Sequence, residues 1–182
     1  CIRDRNKICA DIGASTGGFT QVLLEKEAQK VFSIDVGTNQ LDQRIKNDYR
    51  VVEMSQTNIR DVESLPELVD VIVADLSFIS LELVLPVMVK LIKDEADLVL
   101  LVKPQFEVGR NGIDKNGLVK SPQYRLEAMY KIFQCAENLG LGIMAASKCT
   151  VVGKTGNQEY LFWLKPRLQS IVSLVNLEEL SR

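Results

Sequence analysis

Hydrophobic and polar residues alternate along the chain in a pattern that predicts strands separated by helices. Short apolar runs between polar or glycine-rich stretches predict strands at Ile8–Ile12, Val31–Asp35, Arg50–Met54, Val69–Asp75, Leu98–Val102, Leu141–Ala146 and Tyr160–Leu164. Helices are predicted between them, at Gly18–Glu27, Leu41–Lys46, Ser80–Ile92 and Ser121–Leu139, with Pro86 starting or kinking the third. A polar, glycine-rich loop is expected over Pro104–Lys120.

This alternation predicts an α/β fold built on one mostly parallel, seven-stranded, Rossmann-like sheet. Continuous apolar strands are typical of a sheet that is covered by helices on both faces. The last strand is expected to run antiparallel. We predict a single domain over residues 1–182, with its core at about 8–165 and a tail or helix at 166–182. Ligands of such sheets bind at the carboxyl ends of the strands.

The composition narrows the possible chemistry, because the 182 residues include no histidine. This excludes Ser-His-Asp and Cys-His nucleophile pairs and metal sites that depend on histidine. The four cysteines show no zinc-ligand spacing, so no metal site is predicted. The longest apolar stretch, Leu81–Ile92, is interrupted by charged residues and falls far short of the roughly 20 residues of a membrane span. We expect a cytoplasmic protein without a membrane partner.

Charge is distributed unevenly, although the net charge is only −2. Residues 53–97 hold 10 acids and 3 bases, whereas residues 98–168 hold 10 bases and 5 acids. The acidic block is typical of a solvated surface. The basic block is either a binding face or an ordinary surface, and charge alone does not decide between them.

A glycine-rich turn follows the first predicted strand. Its small residues let the backbone approach a ligand and present N–H groups near the start of the next helix. The dinucleotide fingerprint does not fit, because Ser15 stands at its second glycine. Asp11 could meet a cationic amine, and Asp35, 22 residues after Gly13, stands where a carboxylate takes ribose hydroxyls. These residues predict an adenosine-bearing cofactor without a pyrophosphate, such as S-adenosylmethionine, and a purely structural turn is the alternative.

Three further charged residues lie at predicted strand ends. Asp75 ends the fourth strand, Lys103 ends the apolar fifth strand, and Glu159 precedes the last strand. A lysine in this position is costly to bury without a partner, so we expect Asp75 and Lys103 to face each other across a cleft. The alternatives are a turn-capping aspartate, a lysine that snorkels to solvent and an exposed glutamate.

Several segments together resemble one family: DIGASTGGFT at 11–20, DVG at 35–37, TNIR at 57–60, DLSFIS at 75–80 and KPQFE at 103–107. In these segments, from about Ile8 to Leu164, the chain resembles the TlyA hemolysin family. The resemblance implies a class I methyltransferase fold of the FtsJ type and S-adenosylmethionine as cofactor. It also implies methylation of ribose 2′-hydroxyls, of cytidine by preference, in ribosomal RNA or ribosomal subunits. The chain would be the methyltransferase domain without the small RNA-binding domain that typically precedes it.

The resemblance also implies catalytic residues, because family members use a Lys-Asp-Lys-Glu tetrad. Asp75, Lys103 and Glu159 fall on its last three positions, whereas the first lysine has no clear counterpart and Lys7 is too close to the first strand. Lys103 would stabilise the developing alkoxide or accept the proton of the hydroxyl. Asp75 would orient Lys103 and the hydroxyl, and Glu159 would fix the position of the ammonium group.

The remaining expectations concern cofactor and RNA contacts. The residues expected at the cofactor are Asp11, Gly13, Ala14, Ser15, Gly17, Gly18, Phe19, Asp35, Val36, Asn58 and Asp75. The residues expected near RNA phosphates are Arg110, Lys115, Lys120, Lys148 and Lys154. The main alternative function is a catalytically impaired methyltransferase fold that acts as an RNA-binding module. A membrane-active lysin and a nucleotide-dependent oxidoreductase are weaker alternatives, the former because no strongly amphipathic basic helix is apparent.

Overall fold

The computed structural model describes residues 5–151, 153 and 156–182. Its strands are β1 Ile8–Ile12, β2 Lys30–Ile34, β3 Val51–Met54, β4 Val69–Ala74, β5 Ile92–Val102, β6 Leu141–Lys148 and β7 Tyr160–Pro166. Its α-helices are α1 Gly18–Glu25, α2 Gln43–Lys46, α3 Leu85–Leu91, α4 Pro104–Glu107, α5 Pro122–Asn138 and α6 Leu174–Ser181. Short 3₁₀ turns cover Ile59–Asp61, Leu81–Leu83 and Arg110–Gly112.

The strands of the described residues form a seven-stranded sheet in the order β3-β2-β1-β4-β5-β7-β6. Strand β1 pairs in parallel with β2 on one side and with β4 on the other, and β3 pairs in parallel with β2. Strand β7 runs antiparallel to its neighbours. The predicted α/β, mostly parallel sheet with an antiparallel last strand is confirmed. The order reverses between β2 and β4, so the carboxyl end of β1 lies at the switch point where ligands of such sheets bind.

The chain divides into two compact units. The first contains the residues up to Leu76 and Pro86–Val99, and the second contains Ser77–Leu85 and Leu100–Arg182. The single domain expected from the sequence stays a prediction.

The first unit is organised around β1, whose five residues are all buried. Helix α1 contributes Leu23 to a core cluster that also contains Cys9, Ala28, Val31, Val71 and Val73. Burial of an aliphatic side chain of this size stabilises a fold by about 1.5–3 kcal/mol, so this cluster fixes α1 on the strands. The turn between β1 and α1 is thereby held at both ends.

The second unit contains the β6–β7 pair and helix α5, whose start is marked by Ser121 and Pro122. The Ser121 hydroxyl accepts a hydrogen bond from the backbone N–H of Tyr124, and the proline occupies the first turn. The helix buries Ala128, Met129, Ile132 and Ala136, a spacing that places one face towards the core. The predicted tail or helix at 166–182 contains α6, which begins with a capping box formed by Ser173 and Asn176.

Several predicted bounds shift by one or two residues, and two predicted elements are wrong by more than that. Strand β5 begins at Ile92 rather than Leu98, because Lys93, Asp94 and Glu95 form a polar run that hides the strand in the sequence. The predicted helix Ser80–Ile92 is split: Ser80 caps a 3₁₀ turn, and α3 follows with Pro86 in its first turn, where a missing N–H costs nothing.

The predicted loop Pro104–Lys120 is also partly wrong, because its first four residues form the helical turn α4. Lys103 stands at the N-cap position of this turn, and Pro104 occupies its first position. The rest of the segment contains the 3₁₀ turn at Arg110 and an isolated antiparallel bridge between Ile113 and Val119. Lys103 therefore stands where a strand ends and a helical turn begins.

Candidate active site

The glycine-rich turn is shaped by the approach of β4 to the end of β1. Gly13 has a φ of +84°, and a Cβ atom built there would lie 2.4 Å from the backbone oxygen of Asp75. Only glycine fits this position, because the added carbon would overlap main chain rather than a movable side chain. Gly17, also in the left-handed region, is the N-cap of α1, and Gly18 opens that helix. The backbone N–H groups of the turn are therefore presented at the carboxyl end of β1.

Asp11 is buried, with 0% of its surface exposed. Its Oδ2 accepts hydrogen bonds from the backbone N–H of Thr20 at 2.8 Å and from the Thr20 hydroxyl at 2.7 Å. The Thr20 hydroxyl also pairs with the Ser33 hydroxyl at 2.8 Å. Burial raises the pKa of Asp11 to about 6, against these hydrogen bonds, which lower it.

The buried position of Asp11 gives this residue a structural part in the turn. Thr20 is the third residue of α1, so Asp11 satisfies one of the N–H groups that the helix itself leaves unpaired. Its Oδ1 has no hydrogen-bond partner among the described residues. The expected contact between Asp11 and the cofactor stays a prediction.

Asp35 lies directly after β2 and closes the turn from the other side. Its Oδ2 accepts from the backbone N–H of Ser15 at 2.8 Å, and its Oδ1 accepts from that of Gly37 at 2.7 Å. Asp35, Ser15 and Ala14 line one cavity of about 10 Å³, with Gln40 among the residues on its wall. The structure thus brings three of the residues expected at the cofactor together.

The other residues expected at the cofactor are spread around this group. Val36, 69% exposed, follows Asp35. The Asn58 side chain accepts from the backbone N–H of Arg60 and caps the 3₁₀ turn there. Phe19 packs against the core cluster of the first unit. Asp75 is half-buried, and its backbone N–H donates to the Ile12 carbonyl at 3.0 Å.

Lys103 is half-buried in the second unit and is bonded to Ser77. Its Nζ donates a hydrogen bond to the Ser77 hydroxyl at 3.0 Å. Ser77 is exposed and belongs to the segment that follows β4. This hydrogen bond holds the Lys103 amine in one direction.

Glu159 is buried, with 9% of its surface exposed, directly before β7. Its Oε1 accepts a hydrogen bond from the Gln105 side chain at 3.1 Å. Gly153 lies against the same oxygen, since a Cβ atom there would approach it to 2.5 Å. Gln105 is two residues after Lys103, so the helical turn that begins at Lys103 also holds Glu159. The alternative of an exposed glutamate is wrong, because the Glu159 carboxylate is buried and hydrogen-bonded.

Sequence reasoning missed Ser77, Gln105 and Glu107, which hold or adjoin the predicted catalytic residues. Ser77 and Lys103 are 26 residues apart, and Gln105 and Glu159 are 54 apart. Patterns of neighbouring residues in the sequence do not indicate pairs that are so far apart. Lys7 precedes β1 and pairs with Asp70 at 3.7 Å, at the opposite end of the strand from the glycine-rich turn.

Three of the basic residues expected near RNA lie in the segment that follows α4, which hydrogen bonds hold in place. Arg110, Lys115 and Lys120 are all exposed, and the Lys120 amine donates to the Asn111 carbonyl at 3.0 Å. The Asn157 side chain secures the segment, accepting from the Val119 N–H and donating to the Gly117 carbonyl, both at 2.9 Å. Lys148 is exposed at the end of β6, and Lys154 lies outside the described residues.

In the part of the chain that the structure describes, no group of three or more cysteine or acidic side chains is arranged to hold a metal ion. Likewise, none of the helices in that part has the length and apolarity that crossing a bilayer requires.

Comparison with known proteins decides the family. The family model of FtsJ-like methyltransferases matches residues 1–166. The chain belongs to this family. The class I methyltransferase fold is supported by a solved S-adenosylmethionine-dependent methyltransferase from Listeria monocytogenes, with a TM-score of 0.69 over 91% of this chain and 93% of that one, at 15% identity.

Two closer relatives confirm the resemblance to TlyA. The chain is 43% identical over 173 residues to a Mycobacterium tuberculosis protein named 16S/23S rRNA (cytidine-2′-O)-methyltransferase TlyA, covering 94% of this chain and 65% of that relative. A solved Lactococcus lactis structure described as a hemolysin is 36% identical, with a TM-score of 0.92 over 98% of this chain and 88% of that one. The chain thus spans about 65% of the length of the curated relative.

Proposed function

We propose that the protein transfers a methyl group from S-adenosylmethionine to a ribose 2′-hydroxyl of ribosomal RNA. The observation that carries the proposal is the pair of oriented groups in the second unit: Lys103 bonded to Ser77, and buried Glu159 bonded to Gln105. Because these 182 residues include no histidine, another group must accept the proton of the hydroxyl or stabilise the developing alkoxide. An oriented lysine can do either. The printed activity of the tuberculosis relative supports the same reaction.

The residues of the first unit fit an adenosine-bearing cofactor in their donors and acceptors. Asp35 presents a carboxylate at the end of β2, where such a group takes the ribose diol. The backbone approaches closely at Gly13, and Ala14 and Ser15 add little bulk beside Asp35. The small cavity here is bordered by the exposed Gln40 side chain, which can move to enlarge it.

Bound S-adenosylmethionine supplies an electrophilic methyl group on sulfur. Asp35 would hold the ribose end, with Val36 and Asn58 towards the adenine and the turn from Gly13 to Phe19 along the methionine portion. Asp11 would act from beneath the turn, by holding the start of α1 through Thr20. Because Asp11 is buried, its hydrogen bonds to Thr20 hold the start of α1 from a position that solvent does not reach.

Lys103 would act on the nucleophile. Its amine, held by the Ser77 hydroxyl, would stabilise the alkoxide that develops as the ribose hydroxyl loses its proton, or would accept that proton. Asp75 would orient the hydroxyl and Lys103. Glu159 would fix the ammonium position, and its burial would strengthen that attraction. Alignment of the reacting atoms would supply much of the remaining acceleration.

Ribosomal RNA would lie on the exposed cations Arg110, Lys115, Lys120 and Lys148 of the second unit. Lys154, outside the described residues, is expected to join them. Cations near phosphates supply affinity without sequence specificity, so the choice of nucleotide must come from elsewhere. The relatives' printed names support cytidine as the target. With such a substrate, the enzyme would act in the cytoplasm, with ribosomal subunits as partners.

The decisive experiment combines cofactor binding with product analysis on the full-length protein. Calorimetric titration should show micromolar-range binding of S-adenosylmethionine and no binding of NAD. Ribosomal subunits that lack the modification should then gain a 2′-O-methylated nucleoside, read by mass spectrometry of the digested RNA. Binding of RNA without any methylated nucleoside would instead support the impaired, RNA-binding alternative. Binding of NAD would support the oxidoreductase alternative.

A further inference from the structure

Glu107, at the end of α4, is a buried acid that the proposed reaction does not use. Only 6% of its surface is exposed. The Ser80 hydroxyl donates to its Oε2 at 2.5 Å, and the backbone N–H of Leu81 donates to its Oε1 at 2.9 Å. Both carboxylate oxygens are therefore occupied by one short segment of chain. Burial raises the pKa of Glu107, and the two donors oppose this by favouring its charged form.

The two segments that Glu107 joins are the ones that carry Ser77 and Lys103. Ser80 is three residues after Ser77, and Glu107 is four residues after Lys103. The Lys103–Ser77 hydrogen bond and the Glu107 contacts therefore link the same two segments at two places. A link made by a buried carboxylate persists, whereas the hydrogen bond from the flexible Lys103 side chain to the exposed Ser77 hydroxyl needs support.

Helix α5 supports this arrangement through Lys131. The Lys131 amine donates to the backbone carbonyl of Glu107 at 3.3 Å and pairs with Glu82 at 2.6 Å. Glu82 lies in the 3₁₀ turn that Ser80 caps. One lysine thus ties both linked segments to a 17-residue helix that is packed in the core of the second unit.

We propose that Glu107 is a positioning residue, which holds the segment of Ser77 against the segment of Lys103 so that the lysine amine is aligned for methyl transfer. Glu107 itself does not reach the reacting atoms. The proposal rests on the proposed function for its kinetic consequences. The part of the proposal that says Glu107 controls how Lys103 is held depends only on contacts within the second unit.

The kinetic test compares Glu107→Ala with Asp70→Ala in the full-length protein. Asp70 is a matched control, because it also accepts from a backbone N–H, that of Ile8, and from a side chain, that of Lys93, both in the first unit. Glu107→Ala should lower kcat by about 10-fold or more while the KM for S-adenosylmethionine stays within about twofold, since misplacement by about 1 Å costs up to 100-fold in rate. Asp70→Ala should leave kcat within about twofold when both variants are folded by circular dichroism.

Two milder variants keep the test decisive if Glu107→Ala folds poorly. Glu107→Gln retains the shape and one acceptor oxygen for the Leu81 N–H, and its NH₂ group can donate to the Ser80 hydroxyl in reversed polarity. It should therefore recover kcat to within about threefold of the unmodified protein. Ser80→Ala removes one of the two donors and should lower kcat by about threefold to 10-fold. An unchanged kcat in Ser80→Ala, or an equal loss in kcat and in cofactor affinity in either Glu107 variant, would overturn the proposal.

A readout without catalysis separates this proposal from the proposed function. The acylation of Lys103 by an amine-reactive ester at fixed pH, followed by peptide mass spectrometry, reports how the amine is held. Release of the amine should raise this rate by about threefold in both Ser77→Ala and Glu107→Ala, and leave it unchanged in Asp70→Ala. If the unmodified protein methylates no RNA, the proposed function fails while this assay still decides the role of Glu107. An unchanged rate in Glu107→Ala would overturn that role.

Discussion

The glycine-rich turn and the segments around Lys103 hold their charged groups in different ways. In the turn, Asp11 and Asp35 accept hydrogen bonds chiefly from backbone N–H groups that lie 2–20 residues away. Around Lys103, the hydrogen bonds join side chains that are far apart in the sequence. Lys103 bonds to Ser77, 26 residues away, and Gln105 bonds to Glu159, 54 residues away. In the proposed site, the first arrangement would shape the backbone for the cofactor. The second would orient the Lys103 and Glu159 side chains.

This difference predicts which kinetic quantity each region controls. Substitutions in the turn should change cofactor affinity or the stability of the first unit, because they alter the cradle. Substitutions around Lys103 should change the rate of the chemical step, because interactions made with developing charge act on the transition state. Each variant below tests this division.

Among variants that leave Lys103 in place, replacement of Glu159 should have the largest effect. Glu159→Ala removes the buried carboxylate proposed to fix the Lys103 ammonium, and kcat should fall by about 100-fold, the loss expected when a reacting group is misplaced. Gln105→Ala, which leaves Glu159 in place without its donor, should cost about 10-fold. Single-turnover methylation with excess enzyme measures both. A fall in cofactor affinity that matches the fall in rate would break the division between the two regions.

Asp11→Asn should alter the pH dependence of stability. The native carboxyl has a pKa of about 6, whereas an unfolded aspartate titrates near 3.9. The native state therefore holds more protons between these values, and the free energy of unfolding contributed by Asp11 falls as pH rises through pH 4 to 6. Relative to Asp11→Asn, the unmodified protein should gain about 2–3 kcal/mol between pH 7.5 and 4.

Urea unfolding at several pH values measures this difference, because effects of all other groups cancel between the two proteins. A difference that does not vary with pH would mean that Asp11 titrates normally and is not confined as described. Thr20→Val is the matched variant: it removes the hydroxyl donor to Asp11 Oδ2 and keeps the backbone donor. It should raise the pKa of Asp11 further, since a hydrogen bond to the charged form is lost.

Asp35→Ala should weaken cofactor binding by about 10-fold to 30-fold, the range expected for hydrogen bonds to a charged group. The rate at saturating cofactor should change by less than about threefold. Asp42→Ala is a suitable control, because Asp42 is a surface acid that caps α2 through the Arg44 N–H. Calorimetry measures the affinities. Equal affinities for the Asp35 and Asp42 variants would remove Asp35 from the cofactor site.

The smallest effect is expected on RNA affinity. Joint replacement of Arg110 and Lys115 by glutamine should weaken RNA binding by about 10-fold at low salt and reduce the salt slope by about 1.4–1.8. The exposed pair Lys26 and Lys90, from the first unit, provides the control with the same change in charge. Filter binding across salt concentrations distinguishes the pairs. Equal slopes for the two double variants would place the RNA elsewhere.

The sequence was most informative where local chemistry decides the structure. The strand ends before Asp35, Asp75 and Lys103 follow from apolar runs, and the sharp turn at Gly13 follows from its small residues. The start of β5 could not be predicted, because Lys93–Glu95 form a polar run that tertiary pairing overrides. The burial of Asp11 was also missed, because its partners Thr20 and Ser33 are identified only once α1 is packed against the strands.

The residues proposed for catalysis were less accessible to sequence reasoning. Lys103 and Glu159 were identified at strand ends and received their proposed roles through the family resemblance. The groups that orient them, Ser77 and Gln105, depend on pairings between distant segments. The contact of Glu107 with Ser80 and Leu81 is of the same kind. Spacing along the chain carries no signal for such contacts, since they are set by sheet order and loop path.

The central claim is that Lys103 stabilises the alkoxide of the ribose hydroxyl or accepts its proton. Lys103→Ala in the full-length protein tests this claim most directly. Single-turnover methylation of ribosomal subunits should fall by about 100-fold or more, the lower range for acid–base and electrostatic catalysis. Cofactor affinity, measured by calorimetry on the same preparation, should stay within about twofold. Methylation within about threefold of the unmodified protein would contradict the account.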